Sequence, residues 1–380
     1  MADEEQQVPR DGRSRHRAVL FGATLLAVTG GLLLWTGMRE RAASTTERIR
    51  QCEELQPESD DQQENVVVCL SQTLIAATEN GTYDEILALT DDLRKGRLQA
   101  SCHAAGHRAG IALYQEYGMD GTLEKIFAGH TDGEAPVDYI CTSALVHGLV
   151  GGGETTDADP AGIAASCLSL DRVAYRYTHE CAHFFGHGVW RRIGELGPTL
   201  AEECGMLDGS ATGLATEICV TGAVMQKYDL QTKHYDPFNK EAQKRETPSR
   251  AELEALCRAV SGDTAFTNGC QGAVGWLAAM RAQDRLDEYD ENDDGYFTLA
   301  VEVYADELEL CRNGSSLQEQ CTQNFITHFR PQAYHNGIAS EVCGKVGVDA
   351  LRCQRIIDLR TGEGQPVDAP VSAGADLAGS

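Results

Sequence analysis

A cysteine–histidine pattern recurs along the chain and constrains the fold more than any other feature. The eight residues that begin at Cys141 (CTSALVHG) align with the eight that begin at Cys181 (CAHFFGHG). His107, His147 and His187 follow one another at a spacing of 40 residues. A fixed period of this length is the signature of repeated supersecondary units. We therefore expect a chain built from repeats, each with a cysteine and a histidine at set positions.

Fainter copies of the pattern extend the repeat. Together with the strong copies they give six cysteine-bearing helices, marked by Cys102, Cys141, Cys181, Cys219, Cys270 and Cys321. Each of these helices is preceded by another helix, so we expect about six helix pairs. Six pairs can stack as a short open solenoid or close into an (α/α)6 toroid. Six is the number of pairs in the toroid, which favours closure, but periodicity alone does not decide between the two.

The remaining sequence between residues 64 and 360 is helical in pattern as well. Apolar residues recur with the helical period, whereas the alternation of a half-buried strand is nearly absent. Asp, Thr and Ser stand at several predicted helix starts and Gly at several ends, as capping requires. The fold class is therefore expected to be all-α, with helices over 64–78, 83–93, 98–117, 137–150, 171–193, 211–228, 250–260, 264–283, 296–310 and 316–329.

The 14 cysteines predict a domain stapled by disulfides. Twelve of them form six pairs at short range: Cys52/Cys69, Cys167/Cys181, Cys204/Cys219, Cys257/Cys270, Cys311/Cys321 and Cys343/Cys353. Cys102 and Cys141 remain and would bridge neighbouring repeats. The competing interpretation is thiolate metal sites, but no Cys-x-x-Cys pair is present, which disfavours zinc ribbons and thioredoxin-like motifs. Spacing alone does not establish which cysteines pair.

An apolar segment near the N-terminus predicts a membrane anchor. Residues 18–38 carry no charge and are long enough to cross the hydrocarbon core as a helix. No small-x-small cleavage site follows them, so we expect an uncleaved signal anchor. All cysteines come after the anchor, which places the N-terminus in the cytoplasm and the bulk in the periplasm or outside the cell, where disulfides form.

The predicted organisation has five parts. These are a cytoplasmic tail (1–17), the transmembrane anchor (18–38), a charged stalk (39–63), the repeat domain (64–360) and a disordered tail (361–380). The net charge of −26 argues against a nucleic-acid partner, because phosphate binding needs Lys and Arg. The expected partners are the membrane, through one helix, and a protein or polymer ligand. The sequence does not predict the oligomeric state.

Five histidines share the repeat position and form the candidate metal site. His103 and His107 are four residues apart, as are His183 and His187, so each pair lies on one helix face. His147 stands at the same position on the helix between them. Neighbouring helices pack about 8–10 Å apart, so five imidazoles would face one pocket. Imidazole suits Zn, Cu and Fe, and the ligand set does not choose among these metals.

Two other interpretations of the histidines stay open. A repeat also repeats core residues, so a ladder of structural histidines would show the same period, and an acid–base site without metal is the third interpretation. Three imidazoles that converge within about 5 Å would favour a metal. Gly106 and Gly186 precede the second histidine of each pair. A glycine inside a helix costs about 1 kcal/mol relative to alanine, so both indicate close approach of a neighbouring helix or a ligand.

Residues 179–183 (HECAH) satisfy H-E-x-x-H and, at this pentapeptide alone, resemble the zincin metallopeptidases. The resemblance implies His179 and His183 as zinc ligands and Glu180 as the catalytic base that activates water. The metzincin extension would need a histidine at position 189, where Val189 stands. Zincins also hold substrate on a sheet edge, and no strands are expected. The alternative role for Glu180 is to accept a hydrogen bond that orients a ligating imidazole.

An acidic segment further along the chain resembles half of an EF-hand loop. Asp290, Asn292 and Asp294 stand at its first three ligand positions, with Gly295 at the turn. The bidentate glutamate belongs at the twelfth position, where Val301 stands. A calcium ion at these three residues is therefore one interpretation, and an acidic, solvated inter-helix loop is the other.

The string Cys-x-His-x-x-Gly-His-Gly at residues 181–188 resembles a family of repeat-containing bacterial proteins, over roughly residues 100–330. The resemblance carries no activity. We expect a membrane-anchored, extracytoplasmic helical-repeat domain with a transition-metal site, in which Glu180 orients or activates. The metal would serve hydrolysis by a metal-bound water, or redox and metal handling. The alternatives are a non-catalytic interaction scaffold with structural histidines and a zinc metallopeptidase.

Overall fold

The computed structural model describes residues 44–55, 60–89, 98–130, 141–156, 158–228, 247–257, 264–290, 293–313, 316–329, 333–334 and 336–361. Within these ranges the chain forms fifteen α-helices, two 3-10 turns and one pair of two-residue strands. The strands, Arg312–Asn313 and Ser316–Leu317, are antiparallel. The prediction of an all-α fold is confirmed.

The helices are numbered here in chain order. They are α1 (Thr45–Glu54), α2 (Asp60–Asn80), α3 (Asp84–Ala88), α4 (Gln99–Ile126), α5 (Cys141–Thr155), α6 (Pro160–Ser169), α7 (Tyr175–Ile193), α8 (Pro198–Gly205), α9 (Ala215–Tyr228), α10 (Arg250–Leu256), α11 (Thr264–Leu286), α12 (Tyr296–Leu308), α13 (Glu319–Thr327), α14 (Ile338–Val346) and α15 (Ala350–Thr361). The 3-10 turns are Leu170–Arg172 and Glu309–Cys311.

Several short helices lie where the sequence analysis predicted none. Helices α6 and α8 both begin with a proline, Pro160 and Pro198. The side chain of Asp159 caps α6 by accepting from the Ala161 N–H. Proline at the first helical position and aspartate at the N-cap are start signals that stand in the sequence. Helix α1 lies inside the segment interpreted as a stalk, where it buries Ile49 and Cys52.

The main helices pack in the order in which they occur along the chain. Helix α2 packs on α4, α4 on α5, α5 on α7, α7 on α9, α9 on α11, and α11 on α13. The short helices α6, α8 and α10 each pack on the helix that follows them. The core runs along these contacts, and its largest fully buried side chains include Trp276, Tyr177 and Phe185.

Seven disulfides tie this array together and confirm the predicted bonding of the cysteines. All 14 cysteines lie within the described residues, and none of them is free. Cys102–Cys141 joins α4 to α5. The other bonds are Cys52–Cys69, Cys167–Cys181, Cys204–Cys219, Cys257–Cys270, Cys311–Cys321 and Cys343–Cys353. Each closes a short loop, and in the chain-entropy model a loop of about 15 residues contributes roughly 3 kcal/mol.

Glycines bring the histidine-bearing helices close to their neighbours. A Cβ atom at Gly106 would overlap the carbonyl oxygen of Cys141 on α5, and one at Gly186 would overlap that of Cys219 on α9. In both places the neighbouring backbone occupies the space that a side chain would need. The packing reason expected for Gly106 and Gly186 is therefore a helix crossing.

The predicted anchor at 18–38 and the tail at 1–17 lie outside the described residues, and α15 ends at Thr361, where the predicted C-terminal tail begins. The anchor and both tails therefore stay predictions. None of the helices in the described part of the chain combines the length and hydrophobicity that a membrane crossing requires.

Candidate metal centre

The five histidines predicted to bind a metal form one cluster on three helices, α4, α5 and α7, each packed on the next. Helix α4 carries His103 and His107, α5 carries His147, and α7 carries His183 and His187. The ring centroids are 4.8 Å apart in the first pair and 4.9 Å apart in the second. The His147 ring lies between the pairs, 5.4 Å from that of His107 and 6.1 Å from that of His183. The five predicted ligands therefore lie close together in the folded chain.

Three of these histidines can hold a metal ion. His103, His107 and His147 each offer one ring nitrogen, and the three nitrogens lie within 4.8 Å of one another. The Nε2 atoms of His103 and His107 are 3.2 Å apart. Two nitrogens bound to one tetrahedral zinc at about 2.0–2.1 Å would lie about 3.3 Å apart. This pair therefore already has nearly the separation that a shared metal requires.

Glu180 sets the orientation of His147. Its Oε2 lies 2.9 Å from Nε2 of His147, and a carboxylate oxygen accepts the ring N–H. The Nδ1 atom of His147 is buried and has no hydrogen-bond partner within the described part of the chain. In a neutral ring that holds its proton on Nε2, Nδ1 carries the lone pair. Ligating histidines in proteins are commonly held in this way by a carboxylate on the opposite nitrogen.

Gln226 on α9 orients His187 in the same manner. Its Oε1 lies 2.8 Å from Nδ1 of His187 and 3.2 Å from Nη2 of Arg191. Because a guanidinium only donates, this amide atom is an acceptor, and His187 carries its proton on Nδ1. The lone pair of His187 is then on Nε2, which lies 3.1 Å from Nε2 of His183.

Burial keeps the imidazoles in the neutral form that binds metals. Desolvation lowers the pKa of all five histidines, and it lowers that of His107, His147 and His187 well below the usual value. Neighbouring imidazoles lower the pKa of these three further. The charge of Glu180 partly offsets desolvation at His103 and His183. A metal ion would therefore not have to displace protons from the cluster at neutral pH.

Phe184 forms an apolar wall at the centre of the cluster. Its ring stacks on His147 at 4.9 Å and lies 5.1 Å from the rings of both His107 and His187. An apolar wall excludes water from the site and lowers the local dielectric constant, which strengthens electrostatic interactions there. Phe184, Gln226 and Arg191 were not among the residues predicted from the sequence. In the sequence, Phe184 and Arg191 are marked only by their spacing of three and four residues from His187, and Gln226 only by its place seven residues after Cys219.

The H-E-x-x-H motif is divided between two environments. Glu180 and His183 face the cluster, whereas the Nε2 atom of His179 lies 2.8 Å from Oγ1 of Thr212. The ring of His179 also packs edge-on against Tyr175 at 5.4 Å. Desolvation lowers the pKa of His179 as well. In this arrangement, Thr212 occupies the nitrogen that a zincin would use for zinc.

The acidic loop was predicted to bind calcium through Asp290, Asn292 and Asp294. Asp290 and Asp294 are exposed, and Asn292 lies outside the described residues. Calcium at these residues stays a prediction.

Comparisons of the chain with protein-family models, with curated proteins and with solved structures find no match. The geometry of the histidine cluster is therefore what points to a function.

Proposed function

We propose that this protein binds a transition-metal ion through His103, His107 and His147. The observation that carries the proposal is the convergence of three ring nitrogens within 4.8 Å of one another. The lowered pKa of each imidazole and the hydrogen bond from His147 to Glu180 support it. Zinc, copper and iron all accept imidazole ligands, and each fits the proposal.

A ladder of structural histidines is the second candidate. The 3.2 Å between the Nε2 atoms of His103 and His107 also suits an N–H···N hydrogen bond. Nδ1 of His147 favours the metal over the ladder. A buried polar atom without a partner costs about 1–3 kcal/mol, and a metal would satisfy this one if Nδ1 is the ligand atom of His147. In the ladder, the same atom would remain unsatisfied.

The proposed chemistry is metal-assisted, with Glu180 beside the ion. The Glu180 side chain is 29% exposed, so it reaches the cluster from the side open to solvent. From there it would orient His147 and accept a proton from a water that enters the site. Hydrolysis and metal handling are both compatible with this role. A zinc peptidase would additionally need His179 to leave Thr212, which makes it the weaker proposal.

We also propose that the helix pairs are repeats of one unit and that they form an open solenoid. The same contact recurs at three crossings, where Gly106, Gly186 and Gly275 pack on the carbonyls of Cys141, Cys219 and Cys321. Helix packing in chain order supports an open array, since no extensive contact joins α13 to α2 among the described residues. Seven disulfides support an extracytoplasmic location behind the predicted anchor at 18–38.

Elemental mass spectrometry tests the metal proposal. The full-length chain is produced through an oxidising compartment, purified without a histidine tag and compared with His103→Ala/His107→Ala. We expect the variant to lose about one ion per chain, because two of three ligands are removed. His130→Ala is the matched control, since His130 pairs with Asp84 away from the cluster and should keep the full metal content. If the wild type holds no metal even after reconstitution with Zn, Cu or Fe, the metal proposal is wrong and the interaction scaffold is the remaining interpretation.

A further inference from the structure

The two histidine pairs have the same internal geometry. The Nε2 atoms are 3.2 Å apart in His103/His107 and 3.1 Å apart in His183/His187. The planes of the two rings meet at 67° in the first pair and at 69° in the second. The nitrogen separation that suggests a metal at His103 and His107 is therefore also present at His183 and His187.

The helices around the pairs are also arranged alike. Gly106 lets α4 approach the carbonyl of Cys141, and Gly186 lets α7 approach the carbonyl of Cys219. The next helix then supplies one polar side chain to each pair. On α5 this is His147, whose ring lies 5.4 Å from that of His107, and on α9 it is Gln226, which bonds to His187.

We infer that the cluster is two adjacent metal subsites rather than one, an inference that rests on the proposed function. The first subsite consists of His103, His107 and His147. The second consists of His183 and His187, with the carboxylate of Glu180 shared between the two. The ions belong to the same class of divalent transition metals, because both subsites offer neutral imidazole nitrogens.

The position of Glu180 supports a shared carboxylate. It precedes His183 by three residues on α7, so the two side chains lie on one helix face. Its Oε2 contacts His147, a ligand of the first subsite. The charge of Glu180 raises the pKa of both His103 and His183 against desolvation, so it acts on a member of each pair. Helical bundles bind two metals with the same Glu-x-x-His spacing, and a negative charge between two cations reduces their repulsion.

The second subsite has its own orienting residue. Gln226 holds the proton of His187 on Nδ1, which leaves the Nε2 lone pair directed to the side where His183 lies. Phe184 stands between His107 and His187, 5.1 Å from each ring. This ring separates the two pairs on one side of the cluster, which favours two ions over one ion shared by all five imidazoles.

Metal stoichiometry tests the inference. The full-length protein is stripped with a chelator, titrated with Co²⁺ or Zn²⁺, and measured by calorimetry and by elemental mass spectrometry. We expect about two ions per chain in the wild type and about one in each of His103→Ala/His107→Ala and His183→Ala/His187→Ala. Gln226→Leu keeps all histidines and should weaken only the second ion, by about 10–100-fold, since it removes an orienting partner.

The outcomes separate this inference from the proposed function. One ion in the wild type, lost when either pair is replaced, would mean a single central site and would overturn the two subsites while leaving metal binding intact. Two ions that persist in His183→Ala/His187→Ala would also overturn the inference. No ion in the wild type would overturn both. If the alanine variants do not fold, the Gln226→Leu titration decides, because equal weakening of both ions contradicts separate subsites.

Discussion

Oε2 of Glu180 lies 2.9 Å from Nε2 of His147 and links helix α7 to helix α5 at the centre of the histidine cluster. The imidazole is 5% exposed and the carboxylate 29%. The hydrogen bond keeps the ring proton on Nε2, so that the buried Nδ1 retains its lone pair. Glu180, which stands in a peptidase-like pentapeptide, thus makes the contact expected of a residue that orients a metal ligand.

Replacing Glu180 should weaken metal binding without unfolding the protein. Glu180→Gln keeps the size of the side chain but removes the negative charge and one strong acceptor. Loss of such a partner lowers metal affinity by about 10–100-fold, which a competition titration with a chromogenic chelator measures. Glu202→Gln is the control, because Glu202 is exposed on α8. Unchanged affinity in Glu180→Gln would show that His147 needs no carboxylate.

Substitution by alanine should change the free energy of unfolding in opposite directions at two glycines. At Gly186 a Cβ would overlap the Cys219 carbonyl, and backbone cannot move aside, so we expect Gly186→Ala to lower the free energy of unfolding by about 1–3 kcal/mol. At Gly162 on α6 the Cβ meets no atom within 4 Å, so Gly162→Ala should raise it by about 0.5–1 kcal/mol. Urea unfolding measures both. If both variants were equally stable, the crossing of α7 and α9 would not be tight.

The metal-free protein should lose stability in acid. Burial lowers the pKa of the cluster histidines below their usual 6.5, so the unfolded chain binds more protons than the folded one below that pH. The stability that these neutral histidines contribute to the folded state is therefore complete above pH 6.5 and is lost as the pH falls. Each buried imidazole adds a slope of about 1.4 kcal/mol per pH unit.

The variant His147→Gln isolates one of these protons. Urea unfolding of wild type and variant at pH 7.5, 6 and 5 should give a stability difference that shifts in favour of the variant as the pH falls. A pH-independent difference would contradict a neutral, buried His147.

Glu154 should change the pH dependence of folding stability in the opposite sense from the histidines. Desolvation raises the pKa of this buried carboxyl to about 7, against the charges of Arg191 and Arg192. Its Oε2 lies 3.1 Å from Nη1 of Arg191. Because the folded pKa is above the unfolded one, stability is lost as the pH rises from about 4.5 to 7. Glu154→Gln should therefore gain about 1–3 kcal/mol relative to the wild type between pH 5 and pH 8, by thermal or urea unfolding. A gain that is the same at both pH values would contradict a protonated Glu154 at pH 5.

Local spacing explains how much of the fold could be predicted. Six of the seven disulfides join cysteines only 10 to 17 residues apart, so these bonds are local in the chain. The histidines were found because residues four apart share a helix face. Helices α6 and α8 were missed, since they are too short to show a clear apolar period, although Pro160 and Pro198 mark their starts.

The sequence by itself determined the all-α class, the disulfide-rich character of the domain and the two histidine pairs, because each depends on composition, on residues close in the chain or on a repeated spacing. Only the tertiary structure decided that Glu180 bonds to His147, that Gln226 orients His187 and that Thr212 takes the nitrogen of His179. These contacts join residues 33 to 39 positions apart on neighbouring helices. Their geometry depends on how far each helix is rotated and how closely it crosses its neighbour, and these are set by packing of glycine on a carbonyl at Gly106 and Gly186.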